Sequence, residues 1–417
     1  MSPGLKSSAN FRWLMAGGVL SMLGDQFTLI ALPWLVLKLT GDPLSLGLVL
    51  ALLGAPRAIF ILVGGALVDR YSPKRVMMLS KHASAVLLGV LAAMTLTGTV
   101  SLAAVYALAL GICLAQAFAI PSGTSMMPRA VPRELLQAAN GVMMGMRQAG
   151  MLVGPLLAAL LLATGGDGEG SLFALGIAFA LDCASFAVSA WTLSKVVPLA
   201  GAEPAAAPAQ NVLRAVGEGI AMVWRDVEMR ACFGYWGLVS LLIGGAMQVA
   251  LPVLAKERLH DGSAFGLLMA AHGAGSLLGM FWSAASTRGS PPRPVRIGVM
   301  ALGIDAIAGL LVIPLGLITA AWQGALLLAM LGALQGVINV HVFTWIQQRV
   351  PMQMIGRTMS IFMFILFGLA PLSSAATGWL LQHVDLQELF VGSGIVLLSC
   401  VALAWTFTPM RRIGASG

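Results

Sequence analysis

Residues 14–37 read LMAGGVLSMLGDQFTLIALPWLVL, an apolar stretch with one carboxylate, Asp25, near its middle. A helix of about 20 such residues spans the hydrocarbon core of a bilayer. Similar stretches recur along the chain, which is 59% apolar and 10% charged, with a mean hydropathy of +0.91. Soluble domains carry about 25% charged residues. The composition disfavours a soluble enzyme, a nucleic-acid-binding protein and a secreted disulfide scaffold, and it predicts an integral membrane protein.

Apolar runs separated by short polar or Gly/Pro-rich connections predict an all-α membrane protein with twelve transmembrane helices. The predicted spans are 14–37, 46–68, 76–98, 101–121, 141–164, 171–194, 231–254, 264–286, 296–318, 320–346, 358–382 and 387–409. The longest connection ends in the amphipathic stretch NVLRAVGEGIAMVWRDVEMR, which predicts a surface helix. The expected domains are an N-terminal six-helix bundle (1–194), a cytoplasmic linker with this helix (195–230) and a C-terminal six-helix bundle (231–417).

Basic residues orient the predicted spans. Sorted by loop, 19 of the 24 Lys and Arg fall on one side, with Lys81 counted in the loop after the second span. Three fall on the other side, and Arg57 and Arg147 lie within spans. Because cytoplasmic loops carry the excess of Lys and Arg, both termini are expected in the cytoplasm, with the chain in the cytoplasmic (inner) membrane. The net charge of +8 is thus an orientation signal rather than a ligand site.

An internal repeat relates the two halves of the chain. A shift of 219 positions aligns Leu32-Pro33 with Leu251-Pro252, Gln116 with Gln335, and Val131-Pro132 with Val350-Pro351. The shift relates six spans to six spans. Since six is an even number, both halves enter the membrane from the same side, and the repeat is parallel.

Two local motifs accompany this architecture. The loop GGALVDRYSPKR (64–75) contains Gly65, Asp69, Arg70, Lys74 and Arg75, and the fifth predicted span contains Gly150, Gly154 and Pro155. Together with the repeat, they resemble the major facilitator superfamily. The series Asn10, Asp25, Pro33-Trp34, Thr40-Gly41, Asp69-Arg70, Pro121, Pro128, Val131-Pro132 and Ala139-Asn140 in the N-terminal half resembles its drug:H+ antiporter-3 branch of macrolide and siderophore exporters. The resemblance implies a monomeric secondary transporter that works by alternating access. It also implies that the loop residues latch the two halves in the outward-facing state; a solvated charge cluster is the alternative.

Five ionisable residues lie at bilayer depth and are candidates for proton coupling or substrate binding: Asp25, Arg57, Arg147, Asp182 and Asp305. Desolvation of Asp25 favours its protonated form near neutral pH, as a proton-coupled carrier requires. The alternative is a static ion pair of Asp25 with Arg57 or Arg147. The segment from Gly150 to Pro155 combines small residues with a missing backbone donor, which predicts either a bending face or tight helix packing.

The candidate cavity lining consists of the apolar surface of Trp34 and of neutral polar residues on the apolar spans. The polar residues are Gln26, Gln116, Gln148, Gln248, Gln335 and Asn339. With the methionines and aromatic residues of the same spans, they suit large amphipathic ligands, although residues at this spacing are also typical of core or lipid-facing positions.

The expected function is proton-coupled export of amphipathic organic compounds, such as drugs, macrolides or siderophore-like molecules. A lysophospholipid or other lipid transporter is the alternative within the same fold. An enzyme is disfavoured, since the chain contains neither HExxH nor GxSxG, and a sensor would lack a folded signalling domain. The four cysteines occur singly, so neither a metal nor a cofactor is expected. The expected partners are a small substrate, protons and the lipid bilayer.

Overall fold

The computed structural model describes residues 8–54, 72–132, 135–165, 169–199, 212–259, 262–286, 296–350 and 355–413. All regular elements in these ranges are helices. They are α1 (Ala9–Thr40), α2 (Pro43–Gly54), α3 (Pro73–Leu96), α4 (Leu102–Ala117), α5 (Ala119–Ala130), α6 (Leu136–Ala163), α7 (Glu169–Ser194), α8 (Val212–Arg225), α9 (Val227–Glu257), α10 (Gly262–Ser286), α11 (Ile297–Val312), α12 (Ala321–Arg349), α13 (Ile355–Gly368), α14 (Ala370–Leu380) and α15 (Leu386–Phe407). Short 3-10 helices follow α11 (Ile313–Leu317) and α15 (Pro409–Arg412).

Each predicted span coincides with a helix wherever the structure describes it. Within the described ranges, nine helices are long and apolar enough to cross a membrane. Shorter apolar helices occupy the second and fourth predicted spans, at Pro43–Gly54 and Leu102–Ala117, and the fifth contains the apolar segment Val153–Ala163 of α6. The surface helix predicted in the linker is α8, and the next helix begins at Val227, four residues before its predicted start.

Local chemistry determines where α1 begins and ends. The Ser8 side chain accepts a hydrogen bond from the backbone N–H of Phe11, which caps the first turn. At the other end Gly41 adopts a φ of 67° and donates its N–H to the Leu37 carbonyl. Only glycine enters this left-handed region without strain, so Gly41 ends the helix before α2 begins at Pro43.

Two predicted spans are interrupted. The fourth breaks at Phe118 between α4 and α5, and the eleventh breaks at Leu369 between α13 and α14. Pro121 and Pro371 follow these breaks by three and two residues. A proline lacks the N–H of a helical turn and clashes with the carbonyl four residues earlier, so the hydrogen-bond ladder is interrupted just before it.

The chain divides into two compact units, Met1–Gly41 with Leu52–Val212, and Asp42–Ala51 with Leu213–Gly417. The start of α2 therefore packs within the second unit, although the sequence repeat assigns it to the first half. There Gly47 lies so close to α14 that an added Cβ would meet the Ser374 carbonyl at 2.5 Å. The Gln382 amide donates to Asp42 at 3.0 Å beside this contact. The predicted domain boundaries at 194 and 231 remain predictions.

Within the second unit, α10 and α12 pack backbone against backbone through four glycines. A Cβ on Gly275 or Gly279 would overlap carbonyls of α12, and a Cβ on Gly332 or Gly336 would overlap carbonyls of α10. Small residues let apolar helices approach closely where no hydrophobic effect drives their association. This pair therefore depends on the absence of side chains at these positions.

Replacing Gly332 by leucine is expected to destabilise the protein, because the side chain must displace the α10 backbone beside His272. Overpacking of this kind costs about 3 kcal/mol. Thermal unfolding of the purified protein, followed by tryptophan fluorescence, measures the effect. The matched control is Gly303→Leu in α11, where no neighbouring atom lies within 4 Å of an added Cβ. Equal melting temperatures for the two variants would contradict the packing.

Candidate functional site

The structure describes most of the candidate residues. Four lie outside the described residues, Arg57, Gly65, Asp69 and Arg70, and so do the side chains of Arg147 and Gln148. Of the five ionisable candidates, Asp25 and Asp182 belong to the first unit and Asp305 to the second. The description therefore begins with the pair in the first unit.

Asp182 is completely buried on α7, with 0% of its surface exposed. The Thr28 hydroxyl of α1 donates to one carboxylate oxygen at 2.5 Å, and the Ser185 hydroxyl donates to the other at 3.1 Å. Gly24 lies against the same carboxylate, since an added Cβ there would be 2.5 Å from Asp182 Oδ1. The close approach of α1 and α7 thus seals Asp182 from solvent and provides its donors.

Asp25 lies on α1 and is half-buried. The Gln116 amide of α4 donates to Asp25 Oδ1 at 3.2 Å, so two of the residues predicted from the sequence meet here. Asp25 directly follows Gly24, the residue at which α1 approaches Asp182 of α7.

Lys81 of α3 supplies a cation to the same region. It is 7% exposed, and its Nζ donates to the Ser189 hydroxyl at 2.5 Å and to the Ser21 hydroxyl at 3.3 Å. The Ser189 hydroxyl in turn donates a hydrogen bond to the Gly17 carbonyl at 2.6 Å. Lys81 also lies within electrostatic range of Asp25. The region thus combines two carboxylates, one ammonium and a chain of hydroxyl groups.

The assignment of Lys81 to a loop was wrong. The residue lies within α3, whose predicted span, 76–98, already contained it. The signal that finds it is the position of a lysine five residues inside an apolar span, the criterion that selected Arg57 and Arg147. Sorting charges by loop concealed that position.

In the second unit, Asp305 of α11 accepts a hydrogen bond from the Tyr235 hydroxyl of α9 at 2.7 Å. Tyr235 was not among the predicted residues, because a single tyrosine in an apolar helix carries no periodic signal. The neighbouring aromatic rings form a contiguous cluster of Phe233, Trp236, Phe343 and Phe362, with ring centroids 5.5–6.1 Å apart. Phe233 and Phe362 are buried, and Trp236 and Phe343 are partly buried, so the Tyr235–Asp305 pair lies beside the apolar core of the second unit.

The other candidate lining residues are distributed over both units. Gln335 donates to Asn339 one turn along α12 at 3.0 Å, and the Gln248 side chain accepts from the Ser374 hydroxyl at 3.1 Å. Trp34 is half-buried on α1. Gln26 packs its side chain against Gly154, where an added Cβ would overlap it, so α1 and α6 approach closely at this point.

The described part of the predicted latch makes contacts within the first unit. The Lys74 ammonium donates to the carbonyls of Ser194 and Val196 at 3.1 and 2.7 Å, where α7 ends. A cation at this position complements the negative end of the helix dipole. Arg75 is exposed.

A model of the Major Facilitator Superfamily matches residues 14–375. The chain belongs to this superfamily. Its members share the all-α membrane architecture described above, which confirms the predicted fold class, the family resemblance and a transporter rather than an enzyme.

Known relatives agree with this assignment. The enterobactin exporter EntS of Escherichia coli O1:K1 is 26% identical over 354 residues, covering 85% of this chain and 80% of the relative. The nucleoside transporter NupG matches with a TM-score of 0.74 at 14% identity, over 95% of this chain and 99% of that structure. A bacterial homologue of the lysosomal transporter Spinster matches with a TM-score of 0.68 at 13% identity, over 100% and 98% of the two chains. These two structures are related to this chain by fold alone.

An ion-pair cluster lies in the second unit, at the end of α12. Arg349 binds Asp226 through Nε at 2.6 Å and Glu228 through Nη1 at 2.7 Å. Asp226 also caps α9 by accepting from two backbone N–H groups. Burial opposes the ionisation of Asp226, but the hydrogen bonds from Arg349 and the backbone outweigh it and hold its pKa below the ordinary value.

Replacing Arg349 by methionine is expected to destabilise the protein at pH 7 by about 1 kcal/mol, the range for a partly exposed pair. Because the pKa of Asp226 is lowered by folding, its contribution is complete above the ordinary aspartate value of about 3.9 and is lost as the pH falls through the lowered pKa. Melting temperatures of both proteins, recorded at pH 7 and at pH 3, should therefore converge at the acidic pH. A gap that does not change with pH would refute the role of Asp226.

Proposed function

We propose that this superfamily member is a proton-coupled exporter of amphipathic organic compounds, such as drugs, macrolides or siderophore-like molecules, and works by alternating access. The observation that carries the proposal is the polar cluster of Asp25, Asp182 and Lys81 inside an otherwise apolar helix bundle. Charges at this depth are expensive unless they are compensated, and they typically serve ion pathways and relays in membrane proteins.

Asp25 is the proposed proton carrier. Asp182 is buried with two hydroxyl donors, whereas Asp25 is half-buried and holds a neutral amide donor. The carboxylate with more access to solvent is the one that exchanges protons more readily. Arg57, Arg147 and Asp305 remain candidates for further charge partners or for substrate binding.

The proposed substrate is bulky and amphipathic. Trp236 and Phe343, which lie partly buried beside the core residue Phe362, support this proposal because they offer apolar surface near the polar Tyr235–Asp305 contact. The neutral amides of Gln116, Gln248 and Gln335 add hydrogen-bonding groups without fixed charge. The name of the relative, an enterobactin exporter, agrees with an exported organic molecule.

The remaining proposals concern movement and orientation. Gly65, Asp69, Arg70, Lys74 and Arg75 form the proposed latch. Gly150, Gly154 and Pro155 form the proposed hinge, which would slide against α1 at Gln26. The two six-helix bundles would move about the substrate site in the cytoplasmic membrane, with both termini in the cytoplasm, as a monomer.

Transport by purified protein in proteoliposomes tests the function. Ethidium, erythromycin, enterobactin and lysophosphatidylcholine are compared with and without an imposed pH gradient. Wild type is expected to move at least one of the first three only when the gradient is present, and Asp25→Asn is expected to reduce that movement to the level of protein-free vesicles. The matched control is Asp385→Asn, which removes an exposed carboxylate while asparagine still caps α15.

Movement of lysophosphatidylcholine alone would overturn drug or siderophore export in favour of a lipid transporter. Transport that is indifferent to the gradient and to Asp25 would overturn proton coupling and leave Asp25 as a structural residue.

A further inference from the structure

Helix α8 presents an apolar face that is exposed. Ile220 and Trp224 lie one turn apart on this helix, and 49% and 66% of their surfaces are exposed. Met222 and Val223 of the same helix pack into the apolar core of the second unit. The exposed pair is therefore not part of that core. An exposed tryptophan beside an isoleucine on an amphipathic helix is typical of a helix that lies in a membrane interface.

The polar side chains of α8 lie on a third face. Glu218 and Arg225 are exposed, and together with Ala221 and Asp226 they line an open cavity of about 700 Å³. At 3.6 residues per turn, this polar face, the buried face and the exposed apolar face are about 120° apart. The helix thus has separate sides for protein, for water and for a third, apolar environment.

The position of α8 in the chain identifies that environment. The helix ends at Arg225, and the spanning helix α9 begins at Val227 after one extended residue, Asp226. The 31 residues of α9 extend about 46 Å, and a bilayer with its headgroups is about 40–45 Å thick. The ends of α9 therefore lie at headgroup level, and α8 adjoins one of them. At this level the apolar medium is the boundary between headgroups and acyl chains.

A cation is held against the exposed tryptophan. The Arg230 Cζ lies 5.8 Å from the centre of the Trp224 ring, and Nη1 donates to the Trp224 carbonyl at 3.2 Å. A guanidinium has five N–H donors, so this bond leaves others for an anion. Among the described residues, the nearby carboxylates Asp226 and Glu228 bind Arg349, and Arg230 takes no part in these ion pairs. The charge of Arg230 is therefore left for an external partner.

A phospholipid combines the two chemistries that this surface recognises. Its phosphate matches the paired N–H donors of an arginine, and its acyl chains match the exposed faces of Trp224 and Ile220. Tryptophan is enriched at the membrane–water interface because its ring is amphipathic. In a zwitterionic lipid, choline or ethanolamine already compensates the phosphate, so an anionic headgroup is attracted more strongly to a basic site.

We propose that Trp224 and Arg230 form a binding site for an anionic phospholipid, of the phosphatidylglycerol class, from the leaflet that adjoins α8. The Arg230 guanidinium binds the phosphate, and Trp224 and Ile220 contact the upper part of the acyl chains. Arg225 adds a second positive charge at the end of α8. In the proposed orientation this leaflet is the cytoplasmic one. The inference is independent of the proposed proton coupling.

Native mass spectrometry of the purified, delipidated protein in detergent measures the binding. Dioleoyl phosphatidylglycerol and dioleoyl phosphatidylcholine are titrated separately, and the fraction of protein that carries one lipid gives an apparent Kd. The variants are Arg230→Gln and Trp224→Ala, with Arg230→Lys to keep the charge. The matched control is Arg258→Gln, since Arg258 is an exposed arginine at the opposite end of the same helix.

Wild type is expected to bind phosphatidylglycerol more tightly than phosphatidylcholine. Arg230→Gln is expected to weaken phosphatidylglycerol binding about fivefold, the effect of one basic residue near a membrane surface. Trp224→Ala should weaken it by a similar factor, because the variant loses the apolar anchor and the cation–π contact. Arg230→Lys and Arg258→Gln should stay within about twofold of wild type, since each keeps a cation at the site.

Wild-type affinity for phosphatidylglycerol in both Arg230→Gln and Trp224→Ala would overturn the inference. So would equal affinities of wild type for the two lipids, or an equal loss in Arg258→Gln, which would make the attraction a property of net charge. If Trp224→Ala does not fold, Arg230→Gln decides alone, because its side chain is exposed. A wild-type dimer that Trp224→Ala converts to a monomer would assign this surface to a second copy of the chain and overturn the lipid site.

Discussion

Burying a carboxylate among apolar helices is the constraint on which the first unit depends. Asp182 has no contact with solvent, so its oxygens must find donors within the bundle, and they find them in Thr28 and Ser185. The contact with Thr28 requires α1 to lie against α7, and Gly24 makes the approach possible because any side chain there would collide with Asp182 and Ser185. The polar cluster around Asp182 and the close packing of α1 against α7 therefore depend on each other.

The same approach continues along α1 and fixes the environment of Lys81. At Gly17, seven residues before Gly24, an added Cβ would overlap Thr192, and the Gly17 carbonyl accepts from Ser189. Since Ser189 also accepts from Lys81, the glycine contact places the hydroxyl that holds the ammonium. A buried network of this kind is stable only when each member is satisfied. A change in the protonation of this network therefore alters contacts of α1, α3 and α7 together.

Hydropathy and the charge pattern predicted much of this architecture. The long helices lie where apolar runs of bilayer length lie, because a spanning segment must satisfy its backbone internally. Asp25 and Asp182 were identified because a carboxylate at bilayer depth stands out in an apolar run. Composition does not determine how helices rotate against one another. The pairing of Gln116 with Asp25, of Tyr235 with Asp305, and of α2 with α14 therefore required the structure.

Lys81 is a buried residue that the sequence analysis did not identify as a candidate for function. Counting it as a loop charge improved the topology signal, and the same count removed it from the candidates for function. The contact between Gly47 and Gly378 could not be predicted from the sequence either. It depends on how two helices are positioned against each other in three dimensions, and this leaves no pattern in the sequence.

The central proposal is that Asp25 carries the proton that is exchanged for substrate. Adding substrate to the purified protein in weakly buffered detergent solution, with a pH-sensitive dye, measures that exchange directly. The account predicts that binding releases protons from wild type and none from Asp25→Asn. Substrate binding without proton release from wild type across the neutral pH range, or equal release from both proteins, would contradict it.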